Sequence, residues 1–294
     1  MQMIGLNGVL TKAADAVIHV SDHGFLYGMG LFETFRTYRG RPFLLDRHLR
    51  RLEEGCQLLG IPYTSDEASL SRLIAQLMAA NDLQDAYVRY TVSAGEYALG
   101  LPGTDYLQPN EVLFAKSLPP VPTETSARAK SLCLLHTRRN TPESGMRLKS
   151  LHYMNNILAK RELNRYPVAV NGLQMEGLML TDAGIVAEGI VSNVFFVKQG
   201  RLCTPSLDTG ALGGITRGFV MELAGAKGIQ VDEGLYTWEE LMEAEEVFLT
   251  TSVQEISPVT SLSDPEGRTY VIGNGRPGLM TEELLEDYQK KAWG

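Results

Sequence analysis

Short strand-like and helix-like segments follow one another along the 294 residues without strict strand–helix–strand alternation. That pattern predicts an α+β fold rather than a doubly wound sheet. Two further observations support it. The composition, 44% hydrophobic and 21% charged, suits a chain that buries a sizeable core, at a length fitting one large domain or two ordinary ones. The stretch 118–126 (LPPVPTETS) holds three prolines and several hydroxyls and reads as a linker. It sets a small N-terminal α/β domain over 1–118, a linker at 119–125 and a larger β-rich domain over 126–294.

The elements follow in order. Residues 3–10 (MIGLNGVL) read as a strand pair turning at Asn7-Gly8. Residues 31–38 (LFETFRTY) read as a strand that ends at the Arg39-Gly40 turn. Leucines at 49, 52, 58 and 59 give 46–59 a helical period with Asp46 as N-cap. A second helix is predicted over 66–80, then strands over 86–94 and 111–117. Beyond the linker come a strand at 131–137, a polar loop at 138–146 and a helix over 152–165. A β-rich region from 168 to 204 follows, with turns at Asp182-Ala183-Gly184 and Gln199-Gly200. A glycine-rich loop at 210–214 leads into a helix at 216–227. Another helix at 237–244 precedes a strand at 246–250, and a last helix spans 279–291. No internal repeat is visible.

Several function classes lose weight at once. Lys and Arg total 27 against 35 Asp and Glu, a net charge of −8, which lacks the basic footprint of a nucleic-acid binder. Cys56, Cys133 and Cys203 lie far apart with no CxxC pair, so neither a zinc site nor a disulfide framework is expected, and the odd count fits a reducing cytoplasm. No signal peptide is visible at the N-terminus. No apolar run reaches the ~18 residues of a membrane span. GxxxxGK[ST], HExxH, GxSxG and a full GxGxxG are all missing; Gly28-Met29-Gly30 begins the last, but Glu33 stands at its final glycine.

What remains is chemistry for an anion, an amine and two charged partners. Residues 210–218 (GALGGITRG) place four glycines and a threonine at a helix start, where backbone N–H groups and the helix dipole favour a phosphate. Residues 250–252 (TTS) add hydroxyl donors at a strand end, and Arg51 offers a charge-assisted bond. Taken singly, each also reads as a tight turn, a strand terminus or a surface arginine. Lys149 lies between Leu148 and Leu151. Apolar surroundings desolvate an amine, lower its pKa and make it a nucleophile for aldehydes and ketones; a lysine that snorkels to water is the ordinary alternative. Glu188 sits in the apolar run 186–193 and needs a partner, either a protonated ring nitrogen or an arginine. Arg89 shares a strand face with Tyr87 and Thr91, as a carboxylate clamp or an exposed strand residue.

Taken together, DHGFLYGMGLFETFR (22–36), the helix with His48, Arg51 and Leu52, RLKSLHYMNNILAKRE (147–162), AEGIVSNVFFV (187–197), GGITRG (213–218) and TTSVQEISPV (250–259) resemble the fold-type IV pyridoxal-phosphate enzymes. The resemblance runs from Asn7-Gly8 to about Val259. It implies the two-domain fold of the D-amino-acid aminotransferase type, with pyridoxal 5'-phosphate between the domains, and a homodimer. By resemblance, Lys149 joins the cofactor as a Schiff base and shuttles protons. Glu188 pairs with the pyridine nitrogen. Arg51, the amides of Ile215 and Thr216, and Thr251 with Ser252 hold the phosphate. Tyr153 lies near the position of a tyrosine that approaches the ring oxygen in some members, although those members space it five residues after the lysine and here the spacing is four. Tyr27, Tyr87 and Arg89 face the substrate.

Within the family, FETFR, AYVRYTVSAGEYALGL (86–101) and FAKSLPP (114–120) are most similar to aminodeoxychorismate lyases of the Bacillus type. The implied reaction releases pyruvate and forms 4-aminobenzoate for folate synthesis. An aminotransferase for branched-chain or D-amino acids is the alternative. D-amino-acid aminotransferases carry a carboxylate-trapping arginine a few residues further along this strand, where this chain has Val92 and Ser93; the branched-chain enzymes share the Tyr87-x-Arg89 pattern. Arg138, Arg139 and Arg147 are further cations without an assigned place. No metal is expected.

Overall fold

Asn7 and Gly8 adopt φ of 49° and 78°, the left-handed pair that a two-residue hairpin needs. They join β1 (Met3–Leu6) to β2 (Val9–Lys12), with Leu6 opposite Val9. The computed structural model describes residues 2–118, 121–166 and 172–294. Its contacts form two units, each with its own hydrophobic core.

The first unit comprises Met1–Pro119 with Leu148–His152 and Trp293. After a short helix α1 (His23–Tyr27), capped by Asp22, come β3 (Gly30–Tyr38) and β4 (Arg41–Pro42). Helices α2 (Leu45–Leu58) and α3 (Glu67–Ala80) precede β5 (Ala86–Ser93) and β6 (Asn110–Ser117). All pairings in this sheet are antiparallel, in the order β2-β1-β6-β5-β3-β4. The core places Leu45, Leu49, Leu52, Ile74 and Leu77 of the helices with Leu31, Phe35, Val88 and Val92 of the strands. Strand β5 alternates buried and half-buried residues as expected, with Val88, Tyr90 and Val92 on the buried side. Asp46 is not the cap of α2. Burial of Leu45 draws the helix start back to a left-handed Leu44 (φ 55°) without a side-chain cap, and Asp46 lies inside the first turn.

The second unit comprises Pro120–Arg147, Tyr153–Ala292 and Gly294. It opens with a 3-10 turn at Thr125–Arg128 and β7 (Lys130–Leu134). Then come α4 (Met154–Leu163), β8 (Gln174–Leu180), β9 (Val186–Gly189), β10 (Asn193–Lys198) and β11 (Arg201–Pro205). Helix α5 (Ile215–Ala226), β12 (Val231–Gly234), α6 (Trp238–Met242), β13 (Glu246–Thr251), β14 (Glu255–Ser263), β15 (Thr269–Val271) and α7 (Leu279–Trp293) complete it. The sheet runs β12-β11-β10-β13-β14-β7-β8-β9, with β15 on β14, and mixes parallel and antiparallel pairs. Pro119 and Pro120 of the expected linker, and 168–171 of the expected β-rich region, lie outside the described residues. Strands β12, β14 and β15 go beyond the sequence expectation. Among the described residues no helix is long and apolar enough to cross a membrane.

Candidate active site

In the first unit, residues 148–152 return to β3. Leu31 bridges to Ser150, Phe32 donates its N–H to the Lys149 carbonyl at 2.9 Å, and Leu151 donates to the Gly30 carbonyl at 3.0 Å. Leu148 packs on the core beside Gly55. Two of the expected residues meet here. Lys149 Nζ lies 4.8 Å from the centroid of the Phe32 ring, and the Arg89 guanidinium carbon lies 3.6 Å from the same centroid. Arg89 is opposite Thr34 in the β3–β5 register. An amine and a guanidinium near the same buried aromatic ring make this part of the unit cationic, which suits a carboxylate next to a reacting amine.

Arg51 belongs to a second group in this unit. Its Nε and one terminal nitrogen reach the two oxygens of Glu33 at 2.8 and 2.7 Å, and His48 Nδ1 is 2.6 Å from Glu33. Burial alone would raise the Glu33 pKa, but the charge of Arg51 and the His48 contact outweigh it and hold the carboxylate at about 2. Burial lowers the pKa of His48 despite Glu33 beside it. A neutral His48 therefore donates from Nδ1. In sequence Glu33 stands out only as the residue at the missing glycine; its further signal is a carboxylate directly after Leu31 and Phe32 and two residues before Phe35.

In the second unit, Glu188 is paired with an arginine, and that arginine is Arg139. The Arg139 Nε to Glu188 Oε1 distance is 2.7 Å and both side chains are buried. Leu212 donates its N–H to Glu188 Oε2 at 2.9 Å. Arg139 also reaches Asn155 Oδ1 at 2.8 Å. Arg147 donates to the carbonyls of Gly210 and Asn140, so it holds the glycine-rich loop. Burial pulls its pKa down. That loop ends at Gly214, the N-cap of α5, where a Cβ would collide with Asn193 Oδ1. The first turn of α5 presents Ile215 and Thr216, and Thr216 Oγ1 lies 3.2 Å from Ser252 Oγ. Two expected donors thus meet. Thr251 instead uses its hydroxyl oxygen to accept from Val253 and Gln254 N–H. Thr250 Oγ1 is buried and has no hydrogen-bond partner among the described residues.

The remaining expected residues are placed as follows. The Tyr27 hydroxyl accepts from Gly100 N–H at 3.1 Å, and its carbonyl receives His152 Nε2 at 2.9 Å. The Tyr87 ring has Lys116 Nζ 4.6 Å from its centroid. Tyr153 is the N-cap of α4 and gives no side-chain cap bond. Asn193 is the functional candidate that sequence reasoning quoted without using. Among the described residues there is no group of three or more His, Cys, Asp and Glu arranged to hold a metal.

A family model described as amino-transferase class IV matches residues 30–262. The aminodeoxychorismate lyase of Bacillus subtilis (strain 168) is 44% identical over 264 residues, 89% of this chain and 87% of that protein. Among solved structures, the 4-amino-4-deoxychorismate lyase from Pseudomonas aeruginosa is 30% identical with a TM-score of 0.83, covering 99% of this chain and 100% of that one. A T.th. branched-chain amino acid aminotransferase solved with pyridoxamine 5'-phosphate is 28% identical with a TM-score of 0.83, covering 99% of this chain and 94% of that one.

Proposed function

The chain belongs to the amino-transferase class IV family, and from that premise we propose that it is a pyridoxal 5'-phosphate-dependent 4-amino-4-deoxychorismate lyase. It releases pyruvate and forms 4-aminobenzoate, a step of folate synthesis. The donor set in the second unit fits the cofactor. A helix N-terminus with two neighbouring hydroxyls suits a phosphate dianion. A carboxylate fixed by Arg139 and an amide suits a protonated ring nitrogen. The buried Thr250 hydroxyl still has a bond to give.

When bound, the cofactor supplies an aldehyde for amines and a ring that withdraws electrons from the bonds beside the nitrogen. The chain's own residues do the rest. Lys149 Nζ would hold the cofactor covalently at rest; it would then take the proton from the carbon that bears the substrate amine and deliver it to the methylene carbon of the departing enolpyruvyl group, which leaves as pyruvate while the ring becomes aromatic. Glu188 keeps the ring nitrogen protonated. Ile215 and Thr216 N–H, the hydroxyls of Thr216 and Ser252, Thr251 and Arg51 bind the phosphate. That binding is remote from the reacting bonds. Arg89 takes a substrate carboxylate, with Tyr27 and Tyr87 as pocket walls, and Tyr153 stands near the ring oxygen. In this reading the domains are 1–118 and 126–294 joined by 119–125, and the protein is a cytoplasmic homodimer.

The 44% likeness to the Bacillus lyase carries the lyase reading over the aminotransferase one, because both activities use Lys149 and Glu188. The test is direct. Protein loaded with pyridoxal 5'-phosphate is mixed with aminodeoxychorismate and no second substrate. Equimolar 4-aminobenzoate and pyruvate are expected. No release of either product, together with transfer of the amino group from an amino acid to a 2-oxo acid, would make it an aminotransferase. Borohydride reduction of the loaded protein, followed by peptide mapping, is expected to label Lys149.

A further inference from the structure

Glu188, Leu212 and Asn193 close a small hydrogen-bonded ring inside the second unit. Leu212 donates its N–H to Glu188 Oε2 at 2.9 Å, and its carbonyl accepts from Asn193 Nδ2 at 2.8 Å. The same Nδ2 stands 3.5 Å from Glu188 Oε2. Asn193 Oδ1 lies so close to Gly214, the cap of α5, that no Cβ fits between them. Across the sheet Asn193 is paired with Thr250, the residue before Thr251 and Ser252. Its side chain is buried, at 7% exposure. One amide therefore touches the carboxylate on β9 and the loop that leads into α5, and its strand sets the register of the end of β13.

We propose that Asn193 is a positioning residue that couples the two ends of the cofactor site, the Glu188 carboxylate and the anion cup formed by Gly214–Thr216 and Ser252. The proposal rests on the cofactor reading above. The cofactor joins its ring nitrogen to its phosphate through one flat ring and a short phosphomethyl arm, so their separation varies only over a short range. A cup that shifts against the carboxylate satisfies one end at the expense of the other. Leu212 is held on both sides, by Glu188 at its N–H and by Asn193 at its carbonyl. Without the Nδ2 donor, the Leu212 carbonyl loses its partner, and the loop is held by Arg147 at its Gly210 end and by Glu188 only through the Leu212 N–H.

The test compares the wild-type chain with Asn193→Ala and Asn193→Asp. Each apo-protein is titrated with pyridoxal 5'-phosphate, with pyridoxal, and with inorganic phosphate, following cofactor absorbance and thermal unfolding. Asn193→Ala is expected to bind pyridoxal 5'-phosphate about tenfold more weakly, while pyridoxal and phosphate, each touching one end, change little. Asn193→Asp keeps the shape against Gly214 but turns an acceptor towards the Leu212 carbonyl, beside Glu188 and Arg139. Its loss is expected to shrink as pH falls, because a protonated carboxyl donates to that carbonyl again; the alanine variant shows no such recovery. Equal losses for all three ligands would make Asn193 merely structural and overturn the proposal. So would unchanged affinity for the full cofactor, or an aspartate variant without pH recovery. Should the alanine variant fail to fold, the aspartate variant decides by its pH response. A wild-type chain that does not bind pyridoxal 5'-phosphate overturns the cofactor reading, and the coupling with it.

Discussion

Glu33, His48 and Arg51 show how single residues set an acid response. The ordinary carboxylate value of 4.5 falls to about 2 for Glu33 in the folded chain. The unfolded chain therefore binds a proton first as pH falls, and Glu33's contribution to stability, complete above 4.5, is lost between 4.5 and 2. His48 also has a lowered folded pKa, below its ordinary 6.5. Its contribution is complete above 6.5 and declines as pH drops below that value. Two acid phases are expected in urea unfolding, the first from His48. A His48→Gln variant flattens the loss that begins below pH 6.5 and keeps the loss below 4.5. Glu33→Gln shrinks the lower phase, to which Glu162, Glu240, Asp264 and Asp287 also contribute, and, because Arg51 and His48 lose a buried partner, costs about 3 kcal/mol at neutral pH. Identical pH profiles for the wild type and both variants would contradict this assignment.

Helix starts show what local sequence carries and what it does not. Thr237 caps α6 with a full capping box: its hydroxyl accepts from Glu240 N–H while the Glu240 carboxylate accepts from Thr237 N–H. Thr237→Ala is expected to cost about 1 kcal/mol in urea unfolding. Asp46 has the same look in sequence but caps nothing, so Asp46→Ala is expected to change stability by less than about 0.5 kcal/mol. A larger loss for Asp46 than for Thr237 would reverse the assignment. Hairpin turns at Asn7-Gly8 and Arg39-Gly40 were legible because left-handed backbone restricts which residues fit. Strand β14 was not, because its nine residues carry Ser, Thr and Pro at buried positions. Those hydroxyls are tolerated because neighbouring strands bond them, as Ser131 does for Ser261 at 3.1 Å. The same holds at the site. Lys149 and Glu188 stand out as charges in apolar stretches, whereas Arg139 reads like any loop arginine until the fold sets it 2.7 Å from Glu188.

At the scale of the whole chain, the segment that carries Lys149 is the most consequential detour. The chain passes into the second unit after residue 119 and then returns at Leu148–His152 to the first. There it covers the edge of β3 at Gly30–Phe32 with two backbone hydrogen bonds and the Leu31–Ser150 bridge, while Leu148 packs on the core. Strand β4 pairs with β3 only at Thr37 and Tyr38, so without 148–152 the Gly30–Phe32 edge would present unpaired backbone groups. The arrangement also fixes the Lys149 backbone to a sheet rather than a free loop, which favours precise placement of its amine. A fragment of residues 1–118, cut at the linker, is therefore expected to associate through that edge and to lack a cooperative unfolding transition. The same fragment joined through a Gly/Ser linker to residues 147–152 is expected to remain dispersed and to unfold cooperatively. Light scattering and denaturant unfolding of the two proteins distinguish these outcomes. Equal behaviour would mean that the β3 edge does not need the lysine segment, and that the detour serves only to present Lys149.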